Sequence, residues 1–174
     1  EYLWDGREKH ELDGKTYSQD LINARALQFI RENKSGPFFC FMSITVPHAA
    51  MHVPEDSAAP FRKKFSHFEN KIGKYSGPDV KNPIAAFAGM MTRLDGQIGQ
   101  LLDLLDELEI DEQTLVMVTS DNGPHLEGGH DPRFFDSNGP LRGFKRDLHE
   151  GGIRVPLLVR WPGTVKAKSQ SDHI

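Results

Sequence analysis

One stretch constrains the fold more than any other. Ile84, Phe87, Met91, Leu94, Ile98, Leu101, Leu105 and Leu108 recur at alternating steps of three and four residues. An α-helix repeats every ~3.6 residues, so these side chains form one apolar stripe along about seven turns. A helix with one such stripe must cover an apolar partner. A coiled coil would satisfy it, but the stripe is short and is followed closely by Thr114–Thr119, a run with the composition of a buried strand. The pattern therefore predicts a helix laid on a sheet.

The flanking segments extend that prediction. Tyr17 to Asn33 reads as a helix, with Ser18 near its start and Ile22, Ala26, Phe29 and Ile30 on one face; Ser35-Gly36-Pro37 stops it. Phe38 to Thr45 is almost continuously apolar and reads as a strand covered on both sides. Val155 to Trp161 reads as a third strand, closed by Pro162-Gly163. Pro47, Pro54 and Pro60 make 46–60 a loop, and the polar run from Arg62 to Pro83 reads as an exposed excursion. The order helix, strand, helix, strand, loop, strand predicts the α/β class, a three-layer α/β/α sandwich with a mostly parallel sheet.

Composition removes several functions. Lys and Arg number 21 against 25 Asp and Glu, a net charge of −4 over 174 residues, and the basic residues are scattered. Nucleic acid would call for a clustered basic face. No apolar run reaches the ~18 residues of a membrane helix, so no membrane span is expected. Glu1 to Asp5 lacks the basic and apolar parts of a secretory signal. The single cysteine, Cys40, excludes an internal disulfide, and its apolar neighbours Phe39 and Phe41 make it a small buried hydrophobe rather than a nucleophile.

In open α/β sheets, ligands collect beyond the carboxyl ends of strands. Pro47-His48 follows the first strand, and Ser120-Asp121-Asn122-Gly123 follows the second. Asp121 and Asn122 offer a carboxylate and an amide oxygen, the ligand type that hard divalent cations such as calcium prefer. The same tripeptide is also a good turn. Two ligands leave most of a coordination sphere to other residues. Lys145, or Arg142, in Gly139–Lys145 supplies a cation suited to charge on a sulfate or phosphate oxygen. His48 can protonate a leaving oxygen. His52 lies four residues on, a zinc-like spacing on a helix, but Pro47 and Pro54 argue against a helix there. His125 and His130 flank the Asp-Asn pair, either shaping it or serving as plain loop residues.

Taken in order, "YLWDGREKHELDGKTYSQDLINARALQFI", "PFFCFMSITVPHAAMHVPE", "MMTRLDGQIGQLLDLLDEL", "TLVMVTSDNGPH" and "GPLRGFKRDLHEGGIRVPLLVRWPG" resemble the type I sulfatases of the alkaline phosphatase superfamily across the chain. The resemblance implies an incomplete alkaline phosphatase-like fold, with residues 1–174 as part of a sulfatase catalytic domain. It implies hydrolysis of sulfate esters, sulfated glycans foremost, through a covalent sulfated intermediate. Asp121 and Asn122 match the family's calcium pair. Lys145 matches the lysine that contacts the sulfate and the bridging oxygen. His48 matches the histidine on the leaving-group side. Glu150–Pro156 matches a structural stretch, with His149 where members often carry Tyr. An extracytoplasmic location is implied as well. The departure is the missing nucleophile: formylglycine arises in a Cys/Ser-x-Pro-x-Arg motif, and none occurs here. The reading is an internal fragment, inactive alone, whose nucleophile lies upstream and whose tail from Ser171 starts a further helix. The alternatives are a non-catalytic remnant and a phosphodiesterase or phosphonate hydrolase of the same superfamily.

Overall fold

The computed structural model describes residues 2–172. The proposed tail helix runs into His173 and Ile174, which lie outside the described residues. Near the N-terminus, β1 (Tyr2–Asp5) and β2 (Glu8–Glu11) form an antiparallel hairpin with Tyr2 opposite Glu11. Gly6 takes a left-handed φ of 62° at the two-residue turn, a conformation open to glycine. Helix α1 (Ser18–Asn33) follows.

The segment read as a loop contains a helix, α2 (Glu55–Lys64), with Pro60 inside it. Acidic residues in its first turn, Glu55 and Asp56, and basic ones in its last, Arg62, Lys63 and Lys64, suit the helix dipole. Its partner is the stripe helix, α3, which spans Pro83–Glu107. Gly89 allows the close approach, because a Cβ there would come within 2.7 Å of the Ser57 carbonyl. The short pair β3 (Ile72–Gly73) and β4 (Val80–Lys81) leads into α3.

Asn82 starts α3. It is fully buried at a left-handed φ of 51°, which Asn tolerates better than most residues. Its Oδ1 accepts from the Ala85 amide at 3.0 Å, and its Nδ2 donates to the Phe65 carbonyl at 3.0 Å and to Glu69 at 3.1 Å. One side chain thus caps α3 and ties it to the turn after α2.

Two apolar clusters lie along α3. Ala86 and Met90 pack with Val46 and Met51 near its start, and Leu104 and Leu105 pack with Ile30 near its end. Phe38 joins the far cluster and Ile44 the near one, so 38–46 runs along α3 in the opposite sense. Eight extended residues cover about 26 Å, close to the roughly 22 Å that α3 rises between Met90 and Leu105. Met90 is buried, whereas Met91 of the predicted stripe is 42% exposed.

The sheet departs from the expectation. The three described strand pairs are all antiparallel, including β5 (Val116–Val118) with β6 (Leu158–Arg160), where Met117 faces Val159. Residues 38–45 have no ladder partner among the described residues, and so form no strand. Their burial nevertheless alternates with the period of a strand: Phe38, Cys40, Met42 and Ile44 turn inward. Phe39 and Phe41 are 85% and 79% exposed, and Met117 and Leu158 are also exposed. These segments are covered on one side by helices and uncovered on the other. A mostly parallel sheet needs neighbouring strands that these residues do not supply.

Candidate active site

The loop after β5 is held by its backbone. Gly123 N–H donates to the Gly152 carbonyl at 2.9 Å, and the Pro124 carbonyl accepts from Lys145 N–H at 2.8 Å. The His125 ring reaches the Pro47 carbonyl at 3.1 Å. Three consecutive residues therefore bind three separate segments, those carrying Glu150–Gly152, Lys145 and His48.

Glycines make the contact possible. A Cβ on Gly123 would overlap the Gly151 carbonyl, and one on Gly151 would overlap the Gly143 carbonyl. A Cβ on Gly152 would overlap the Asp147 carbonyl. The loops carrying the Asp-Asn pair and Lys145 are stacked backbone on backbone across the short helix α4 (Glu150–Ile153). This gives the Glu-Gly-Gly stretch a packing role.

The Lys145 loop has its own ties. Phe144 N–H donates to the Asp147 carboxylate at 2.9 Å, and Asp147 N–H donates back to the Phe144 carbonyl at 2.9 Å. Arg146 pairs with Glu127 at 2.5 Å. Lys145 is half-buried, and its ammonium has no ion pair among the described residues. Arg142 differs: its carbonyl accepts from Gly151 N–H at 2.7 Å while the residue is exposed.

His48 is exposed, and its ring lies edge-on to Tyr75 at 5.4 Å and 6.4 Å from His125. Tyr75, at the tip of the β3–β4 connection, brings the segment read as an excursion to the site. His52 points elsewhere, onto the Pro78 carbonyl at 2.9 Å, so the zinc-like His48–His52 pair is not formed.

His125 and His130 are 7% and 3% exposed, which makes them interior groups. Burial pushes the His125 pKa down, and the charges of Lys145 and His48 act the same way, against the Pro47 carbonyl and Glu127. Those effects place both Lys145 and His48 near one ring. Burial, then the neighbouring His125, pushes His130 down to about 3, and it stacks on Phe87 at 3.8 Å. From sequence both could shape the site or be plain loop residues; the available signal was the place of His125 directly after Asp-Asn-Gly-Pro. Cys40 is half-buried rather than fully buried, and burial pushes its thiol up, away from the reactive thiolate.

The chemistry of Asp121 and Asn122 fits part of a hard cation's shell. The Asp121 carboxylate is exposed and has no protein partner among the described residues. The Asn122 Nδ2 donates to the Gly123 carbonyl at 3.0 Å, which leaves Oδ1 unengaged. Two such oxygens suit calcium. No group of three or more His, Cys, Asp or Glu is placed to hold a metal among the described residues.

The loop after β5 thus joins the Asp121–Asn122 pair to the segments carrying Lys145 and His48 in one hydrogen-bonded cluster. Comparison with known proteins identifies the family. The sulfatase family model matches residues 1–174. Steryl-sulfatase of Rattus norvegicus is 36% identical over 155 residues, covering 88% of this chain and 23% of that protein. N-acetylgalactosamine-6-O-sulfatase of Bacteroides thetaiotaomicron is 32% identical, covering 87% and 27%. The solved structure of Ps i-CgsB superposes with a TM-score of 0.70 at 29% identity, covering 92% of this chain and 32% of that one. A second structure of it, in complex with k-i-k-neocarrahexaose, gives 0.68 at 28% identity, covering 90% and 31%. The chain belongs to the sulfatase family. It spans about a quarter of the length of the curated relatives it matches.

Proposed function

We propose that this chain carries part of the active site of a sulfuric ester hydrolase that acts on sulfated glycans. The observation that carries the reading is the triple attachment of Gly123–His125, which draws the segments of His48, Lys145 and Glu150–Gly152 against the Asp121–Asn122 loop. Lys145 would bind a sulfate oxygen and the bridging oxygen. His48 would deliver a proton to the departing alcohol oxygen, so that R–O–SO₃⁻ and water become R–OH and hydrogen sulfate. Asp121 and Asn122 would hold calcium, which when bound offsets negative charge on the sulfate oxygens. The formylglycine nucleophile would come from outside these 174 residues, and the chain alone would be inactive.

We further propose that the complete domain is the three-layer sandwich, with additional sulfatase structure covering the apolar side of Phe39, Phe41, Met117 and Leu158. The glycan assignment is supported by the N-acetylgalactosamine-6-O-sulfatase relative and by the structure in complex with neocarrahexaose. An extracytoplasmic location belongs to the same reading; no helix among the described residues is long and apolar enough to cross a membrane.

The test is sulfate release by the full protein from sulfated galactosaminoglycan oligosaccharides, beside a steryl sulfate, 4-nitrophenyl sulfate and bis(4-nitrophenyl) phosphate. Release from the oligosaccharide supports the proposal. Preference for the steryl ester transfers the substrate class, turnover of the phosphodiester alone overturns the sulfatase reading, and no turnover of any ester favours a non-catalytic protein.

A further inference from the structure

The His125 ring stands between two partners of opposite kind. Nε2 lies 3.1 Å from the Pro47 carbonyl, and Nδ1 lies 3.2 Å from the Glu127 amide nitrogen. A carbonyl only accepts and an amide N–H only donates, so Nε2 carries the hydrogen and Nδ1 offers its lone pair. The geometry defines a neutral ring of one tautomer. A second proton would sit on Nδ1, facing the Glu127 N–H.

The carbonyl it holds is that of the Pro47–His48 peptide group. The N–H of the same group belongs to His48 and donates to the Thr45 carbonyl at 2.9 Å. Both polar ends of the peptide entering His48 are therefore bonded, one by backbone and one by the His125 ring. The His48 carbonyl in turn accepts from Met51 N–H at 3.1 Å. His125 cannot easily shift, because it is 7% exposed, faces Phe87 edge-on at 6.3 Å and lies 5.0 Å from His130. The charged or titratable groups acting on it are Glu127, Lys145, His48 and His130.

We propose that His125 is the positioning residue for His48: through the Pro47 carbonyl it sets the place of the proton donor relative to Lys145 and the Asp121–Asn122 pair. The proposal rests on the sulfatase reading above. A bond to any other carbonyl of the loop would steady the backbone; this one orients the peptide from which the His48 side chain projects. Displacing a catalytic group by ~1 Å costs about 100-fold in rate. That cost falls on substrates whose leaving alcohol needs the proton.

The experiment compares two esters in the full protein, a sugar sulfate with a poor leaving group and 4-nitrophenyl sulfate with a good one. His125→Phe keeps a ring of similar shape and removes both hydrogen bonds. It should lower kcat on the sugar sulfate by about 100-fold, with KM little changed, and affect 4-nitrophenyl sulfate about ten times less or weaker still. His125→Gln, which keeps a donor at the Nε2 position, should recover most of the loss. His48→Ala combined with His125→Phe should be no slower than His48→Ala alone, since both remove one function. Equal losses on the two esters, or multiplying losses in the double variant, would overturn the proposal.

Nitrogen-15 NMR of the histidine rings in the wild-type protein provides a readout independent of variant folding. His125 should be the neutral Nε2–H tautomer at neutral pH, taking a second proton only below the ordinary histidine range, and an Nδ1–H ring would contradict the clamp. If the wild type hydrolyses no sulfate ester while the tautomer is as expected, the sulfatase reading fails and the role of His125 fails with it.

Discussion

Helix α3 and the 120–154 loops are both well anchored, but by different forces. Along α3, Leu105 is 1% exposed and packs with Ile30 and Leu104, while Ala86 and Met90 pack with Val46 and Met51. That region is held by buried apolar area, which is non-directional and tolerates repacking. In the loops, Gly123, Gly151 and Gly152 bring backbones into contact, and carbonyl–amide bonds run between segments. Beside these glycines the apolar side chains are exposed, Leu148 by 92% and Ile153 by 58%. The first region determines whether the chain folds. The second determines where His48, Lys145 and Asp121 sit, and it does so with contacts that leave no space for a side chain.

The comparison can be broken by substitution. Leu105→Ala should cost about 3 kcal/mol in stability through the cavity it leaves, measured by denaturant unfolding, with kcat of the folded protein unchanged. A fall in kcat would mean that core and site are coupled. Gly123→Ala should cost less, about 2 kcal/mol from overpacking against Gly151, yet lower kcat far more than its unfolded fraction explains. Activity that merely follows the folded fraction would erase the distinction. Asn82→Ala removes the cap of α3 and sets Ala at a left-handed φ, which should cost about 2 kcal/mol. Asn82→Gly should cost less, because the conformation is open to it.

The smallest effect concerns acid. The Lys81 ammonium first, and then Asn82, hold the Glu69 carboxylate down to about 2 from its ordinary 4.5. A depressed carboxylate pKa stabilises the fold above 4.5, and that contribution is lost as the pH falls from 4.5 through about 2. Lys81→Met should flatten the pH dependence of unfolding in that window while leaving the pH profile of activity alone. A change in the activity profile would link the α3 start to the site.

The same contrast explains what could be read in advance. The α3 stripe was legible because a 3.6-residue period writes itself into the sequence, although Met90 rather than Met91 turned inward. Helix α2 was hidden by Pro54 and Pro60, one just before it and one inside it. The inward–outward alternation of 38–45 is present, but the strand itself is not, since a ladder depends on neighbours rather than on its own residues. The antiparallel β5–β6 pair was unreadable for the same reason. Asp121, Asn122, Lys145 and His48 were visible as motifs, whereas the burial of His125 and His130 follows from how loops stack, which leaves no periodic trace.

Asp121 is the residue on which the proposed function most depends. Its exposed carboxylate has no protein partner among the described residues, and the proposed function gives it calcium. Losing a residue that merely supports a metal ligand costs about 10–100-fold, so losing the ligand itself should cost more than about 100-fold. The decisive measurement is calcium-dependent sulfate release from a sulfated galactosaminoglycan oligosaccharide by the full protein, wild type against Asp121→Ala. The account predicts turnover that chelation abolishes and calcium restores in the wild type, and more than about 100-fold less in the variant. An Asp121→Ala protein that keeps wild-type turnover and calcium dependence would contradict it.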